Sequence, residues 1–246
     1  RRRRRRGAPA AGAGMSGARP TPAALLAQAL DRHRAGDVVA AEGLYRTILH
    51  SSRTHFDAQR LLGLALHSQH RNAEAHTALL RAAKINPKSP DVHTELGVVL
   101  MSLGRPDAAI ASHERALAIE PDHGAAFYNR GVAKLHLGRP AEALADFEAM
   151  LRLMPGYLPA LNNKGLALLH LDRPAEAVAP LDEAVAADPS FVFAHVNRGT
   201  ATLRLGRAAE ALASFDRALA LAPDIQDAVT GRERARAMLA QGAAPA

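Results

Sequence analysis

The sequence contains no cysteine and no tryptophan. Without thiols, a disulfide framework, a thiolate zinc site and a cysteine nucleophile are all excluded. Aromatic residues make up only 4% of the chain. A core must therefore be built from Ala, Leu and Val, and Ala and Leu are the strongest helix formers. No apolar run approaches the roughly 18 residues that would mark a membrane-crossing helix. Gly7 to Gly14 follows an arginine run but is too poor in Leu, Ile and Phe for the apolar centre of a signal peptide. No membrane association and a cytoplasmic location are the expectations. Glycine-rich phosphate loops, His-Glu-x-x-His and Gly-x-Ser-x-Gly are also missing. Neither a catalytic residue nor a cofactor is expected, and the protein is read as not an enzyme.

The net charge of +7 would suggest a nucleic-acid partner, but six of those charges lie on Arg1 to Arg6, which leaves +1 for the rest of the chain. Nucleic acid is therefore not expected as a partner. Residues 1–20 hold little that could be buried and read as a disordered tail rich in Arg, Ala, Gly and Pro. Met15 is the expected natural start.

What the sequence does have is a period. Asn129-Arg130-Gly131, Asn163-Lys164-Gly165 and Asn197-Arg198-Gly199 lie 34 residues apart. A fixed period of this length signals stacked copies of one supersecondary unit. Six blocks result: 22–55, 56–89, 90–123, 124–157, 158–191 and 192–225. Positions within each block are called places 1 to 34. Place 8 holds Ala29, then Gly63, Gly97, Gly131, Gly165 and Gly199. Place 20 is alanine in all six, from Ala41 to Ala211. Place 24 is large in every block: Tyr45, Leu79, His113, Phe147, Leu181 and Phe215. Place 32 is Arg53 once and then Pro87, Pro121, Pro155, Pro189 and Pro223.

Each block reads as two helices. The first covers about places 2–14 and stops at Gly36, Gly104, Gly138 and Gly206, with Asp172 in the same place of the fifth block. Pro106, Pro140 and Pro174 open the second, where a missing N–H costs nothing. The proline at place 32 closes it. The glycine at place 8 is expected to face the alanines at places 20 and 27, with the large residue of place 24 beside them. Residues 226–240 read as a capping helix and 241–246 as a short flexible tail.

This Gly, Ala, aromatic or Leu, Ala and Pro spacing over 22–225 resembles the tetratricopeptide repeat family. The resemblance implies an all-α, right-handed superhelical solenoid of six helix-turn-helix repeats. It also implies a function in protein–protein interaction, with first helices lining a concave groove that holds an extended peptide or a partner helix. Places 2, 5, 6, 9, 12 and 13 should contribute to that groove. The expected groove residues are Asn129, Asn163 and Asn197 at place 6, Tyr128 and Asn162 at place 5, and His136, His170 and Arg204 at place 13. The partner is a protein or peptide of unknown identity.

The three place-6 asparagines form a ladder. An amide can donate to and accept from a peptide backbone, and the arrangement looks like the asparagine ladder in the repeat region of O-linked N-acetylglucosamine transferases. The other reading is that the amides pin neighbouring helices. An alternative role follows from the same likeness: the substrate-recruiting repeat region of such a glycosyltransferase, its catalytic domain lying outside this chain. The capping helix argues against it. The carboxylate clamp of chaperone-binding relatives needs basic residues where Thr94, Pro159 and Asn163 stand, so no clamp is expected. Arg130, Lys164 and Arg198 at place 7 are expected to pair with Glu148, Asp182 and Asp216 of their own repeats. His67 and His70, spaced i, i+3, read as one helix face without a third ligand, and hence as no metal site.

Overall fold

The structure, a computed structural model, describes residues 20–242. The tail expected over 1–20 lies outside the described residues, apart from Pro20, as does 243–246. Among the described residues there are thirteen helices and no strand. Repeat one is α1 (Pro22–Arg34) and α2 (Val38–Ser51), and repeat two is α3 (Phe56–Ser68) and α4 (Asn72–Ile85). Repeat three is α5 (Pro90–Ser102) and α6 (Pro106–Ile119), and repeat four is α7 (Gly124–His136) and α8 (Pro140–Leu153). Repeat five is α9 (Leu158–His170) and α10 (Pro174–Ala187), and repeat six is α11 (Val192–Arg204) and α12 (Ala208–Leu221). The last helix, α13, runs from Gln226 to Gly242, two residues beyond the expected cap. No helix of the structure is long and apolar enough to cross a membrane.

Each helix packs on its neighbours in sequence. From α3 onward each first helix also touches the first helix of the next repeat, whereas no two second helices make an extended contact. The first helices therefore form the inner side of a solenoid and the second helices its outer side.

The joints repeat as faithfully as the helices. The residue at place 15 takes a left-handed conformation in all six repeats: Gly36, Gly104, Gly138 and Gly206, but also His70 (φ 61°) and Asp172 (φ 56°). In each, the N–H at place 16 donates to the carbonyl at place 11, as from Arg105 to Leu100 and from Arg173 to Leu168, both 2.9 Å. That bond ties off the open end of the first helix. It also removes His70 from the helix. His67 and His70 do not share a helix face, and the His67 ring instead bonds Asn72 at 2.9 Å.

The alanines at place 20 are fully buried in all six repeats, and the place-24 side chains are at most 1% exposed. How the glycine at place 8 packs differs from expectation. A Cβ built on Gly63, Gly131, Gly165 or Gly199 would lie 2.5–2.7 Å from the side chain of Leu79, Phe147, Leu181 or Phe215. The glycine's nearest neighbour is place 24 itself, and at Gly63 the place-20 Ala75 carbonyl comes next at 3.4 Å. The large side chain crosses from the second helix and lies flat on the first helix's bare backbone.

The charge pairs at place 7 also differ. Lys164 meets Glu148 at 3.2 Å and Arg198 meets Asp182 at 2.5 Å, each reaching back to the preceding repeat. Arg232 of α13 approaches Asp216 at 3.9 Å in the same way. A first helix packs over the second helix of the repeat before it, so place 25 of that repeat is the nearer acid. Arg130 departs again: its guanidinium straddles Asp146 at 2.6 and 3.0 Å. Lys134 donates to the same carboxylate at 2.8 Å.

Repeat three carries two ionisable groups whose pKa burial shifts strongly. His113 fills place 24, fully buried, with both ring nitrogens lacking a hydrogen-bond partner. Burial, and secondarily the charge of Arg130, push its pKa down to about 4. Glu95 is pushed up to about 7 by burial, against the pull of Arg60 at 2.7 Å. Their effects on stability have opposite sign. The His113 contribution is fully present above pH 6.5 and is lost as pH falls through 4. The Glu95 contribution is fully present below pH 4.5 and is lost as pH rises through 7. His113→Leu installs the residue found at Leu79 and Leu181. It should raise stability by about 1–3 kcal/mol, the usual cost of unpaired buried polar atoms. The gain in a denaturant titration should be larger at pH 5 than at pH 7.5, and a gain independent of pH would contradict the buried neutral ring.

Candidate functional site

The inner face is built from polar rungs that join successive first helices. The side chain at place 5 of one repeat meets that at place 6 of the next. Between repeats two and three the rung is ionic, Arg60 to Glu95 at 2.7 Å. Between repeats four and five, Asn163 Nδ2 donates to the Tyr128 hydroxyl at 3.3 Å. Between five and six, Asn197 Nδ2 donates to Asn162 Oδ1 at 2.8 Å. Asn162 Nδ2 in turn donates to Asn163 Oδ1 at 3.2 Å, which links the last two rungs into one chain of amides. Asn162 is almost fully buried. Tyr128 is held by an edge-on Tyr157 with ring centroids 5.5 Å apart.

Asn129 stands outside this chain. Its Nδ2 donates to Ala125 O of its own helix at 2.8 Å, because the place-5 residue before it, Thr94, is bonded within α5 to Pro90 O. His136, at the end of α7, is exposed and takes no part in a rung. The three asparagines thus share a register but not a role: two join repeats and one is left at the surface.

Three of the expected groove residues do come together. His170, Asn197 and Arg204 line a depression of about 350 Å³ bounded by α9, α11 and α13. Its apolar floor includes Leu166, Leu169, Val196 and Leu203, and Thr200 and Thr230 add hydroxyls. His170 and Arg204 are exposed. Arg204 donates to the Leu169 carbonyl at 2.6 Å, so its guanidinium is fixed over the open end of α9. Arg234 of α13 adds a third basic side chain and Asp227 one acid. Asn197 Oδ1 accepts no hydrogen bond from the described side chains, and one of its amide hydrogens is uncommitted. Phe193, at place 2 of the same α11, is 63% exposed.

The contribution of α13 was not foreseen from the sequence, which read that helix only as a cap. A signal was there: Arg234 falls at place 9 of a seventh block, an inner-face place. Chemically, the depression offers an apolar floor, one amide that can accept and donate, and a basic rim. That set suits an extended polypeptide segment. Among the described residues no group of three His, Asp or Glu converges to hold a metal.

A family model described as Tetratricopeptide repeat matches residues 94–157 and 159–190. A second, described as TPR repeat, matches 63–104, and a third, again Tetratricopeptide repeat, matches 194–225. No curated protein matches the sequence. Among solved structures, PilW, a widely conserved type IV pilus biogenesis factor, superposes with a TM-score of 0.77 at 19% identity, over 87% of this chain and 99% of its own. A tetratricopeptide repeat protein from Parabacteroides merdae gives 0.69 at 18% identity, over 89% and 91%. YrrB, a TPR protein with an unusual peptide-binding site, gives 0.64 at 19% identity, over 77% and 97%. At these identities the likeness is one of fold.

Proposed function

The chain belongs to the tetratricopeptide repeat family, and from that premise we propose that it is a non-catalytic scaffold. It holds an extended peptide segment of a protein partner on its inner face, in the depression between repeats five and six and α13. One observation carries this reading. An apolar floor, the Asn197 Oδ1 and a rim of His170, Arg204 and Arg234 converge on one cavity. That a solved structure of the same fold is described as having a peptide-binding site supports it.

The rim favours a segment with an acidic side chain or a terminal carboxylate over the floor. The surface is preformed: Arg204 is already fixed on Leu169 O and Asn197 on Asn162. Binding then avoids part of the cost of ordering side chains. Thr200→Trp fills the depression from its wall without touching a rung. It should lose the partners that the wild-type chain captures while keeping its thermal unfolding curve. Retention of every partner by that folded variant would contradict the site.

A further inference from the structure

The repeat frame supplies its own control, because a cleft with the same lining places occurs at two of the junctions between the second helix of one repeat and the next repeat. Between repeats four and five this outer cleft encloses about 340 Å³ and is lined by Pro155 at place 32, Leu161 at place 4 and Glu183 at place 26. Between repeats one and two it encloses about 510 Å³, and the same three places hold Arg53, Gln59 and Arg81. Arg46 and His50 complete its wall, and no acidic residue lines it. A contiguous depression shares Arg46, Gln59 and Arg81 and adds one acid, Glu74, which pairs with Arg46 and Arg71.

Two of these side chains lack partners that some of their counterparts have. At place 4, His93 bonds the Pro87 carbonyl at 2.9 Å and His195 bonds the Pro189 carbonyl at 3.1 Å. Gln59 is only 4% exposed, yet its side-chain amide bonds no described residue, and its polar atoms are not sealed from the cavity. At place 26, Arg217 donates twice to the Pro189 carbonyl at 3.3 Å. Arg81 forms no ion pair or hydrogen bond with a described side chain, and neither does Arg53. Arg46 is held by Glu42 at 2.8 Å and reaches Glu74 at 3.5 Å. A side chain this buried, whose amide opens only onto the cavity, takes its hydrogen bonds from whatever occupies the cavity. Guanidinium groups around it select an oxyanion with several acceptor oxygens.

We propose that this cleft between repeats one and two is a second binding site, separate from the inner face, for a phosphoryl group. Arg53 and Arg81 neutralise the charge and the Gln59 amide donates from the floor. Arg46 closes one side while its own carboxylate partners hold it in place. The group could be carried by a free phosphate compound or by a phosphorylated side chain, since the cleft is open to solvent and reads only the oxyanion.

The test is calorimetric titration of the full chain with pyrophosphate in about 0.15 M salt, where surface charge is largely screened. Wild type should bind, and Arg81→Glu and Gln59→Leu, which copy Glu183 and Leu161, should each weaken binding at least tenfold. Circular dichroism checks that both variants keep the helical fold, and Arg81 is exposed. A phosphoserine peptide that displaces pyrophosphate, where its unphosphorylated form does not, identifies a side-chain carrier. Pyrophosphate binding that resists displacement identifies a free one, and either result supports the site. Absence of binding, or binding undiminished in both folded variants and so attributable to Arg1 to Arg6, would overturn it.

Discussion

Replacing Ala177 by arginine is expected to unfold the fifth repeat. Ala177 is fully buried at place 20 of α10, in a cluster with Phe147, Leu168 and Leu181. A guanidinium there would have no partner and no path to water. Such changes cost more than about 4 kcal/mol, which few domains withstand. Gly165→Leu attacks the same joint from the other side. Its Cβ would lie 2.5 Å from Leu181 Cγ before the rest of the side chain is placed. Leucine gains up to about 1 kcal/mol over glycine in helix propensity. Overpacking typically costs about 1–3 kcal/mol and sometimes more, so the net effect is destabilising. Because repeats lean only on their neighbours, the loss should be local. Hydrogen exchange should show α9 and α10 unprotected while α3 and α4 stay protected. Unchanged thermal unfolding of Ala177→Arg would show that the packing is misread.

The second large effect is expected at Asp146, whose side chain is 4% exposed between Arg130 and Lys134. Asp146→Ala leaves two cations facing each other in a buried space. Breaking a buried pair from one side costs about 3–5 kcal/mol. Asp182→Ala is the control, since that carboxylate is half exposed and its pair with Arg198 contributes at most ~1 kcal/mol. Denaturant midpoints of the two variants should therefore differ widely. Equal midpoints would show that Asp146 is solvated. Replacing all three partners by apolar residues should restore most of the loss, because the pair is a liability only when half removed.

The period was legible from end to end, because each constant place has one physical job that only one or two residue types can do. Ala177 fits a space with no room for more, and Pro189 stops a helix. Even the departures obeyed the frame. His70 and Asp172 adopt the left-handed turn where glycine is usual. Legibility failed where a side chain chooses between neighbours. Lys164 could reach Asp182 in its own repeat or Glu148 in the one before, and only the stacking of helices decides for Glu148. The buried triad was missed although its signal was present. Lys134 stands at place 11, where Leu66, Leu100 and Leu168 stand in repeats two, three and five, and Asp146 is the lone acid at place 23. Two departures in one repeat imply each other when one is a buried charge. The asparagines share a register that the sequence shows, but their partners differ. Whether an amide faces solvent or a neighbouring repeat depends on the place-5 residue before it. Tyr128 and Asn162 offer Asn163 and Asn197 an acceptor, whereas Thr94 offers Asn129 none.

The central claim is that partners are held on the inner face at repeats five and six. Site-specific photo-cross-linking tests it most directly. A benzoylphenylalanine in place of Phe193, an exposed aromatic on the inner helix α11, should capture a partner protein from a lysate, and one at Ala186, on the outer α10, should not. Capture at Ala186 with none at Phe193 would contradict the account.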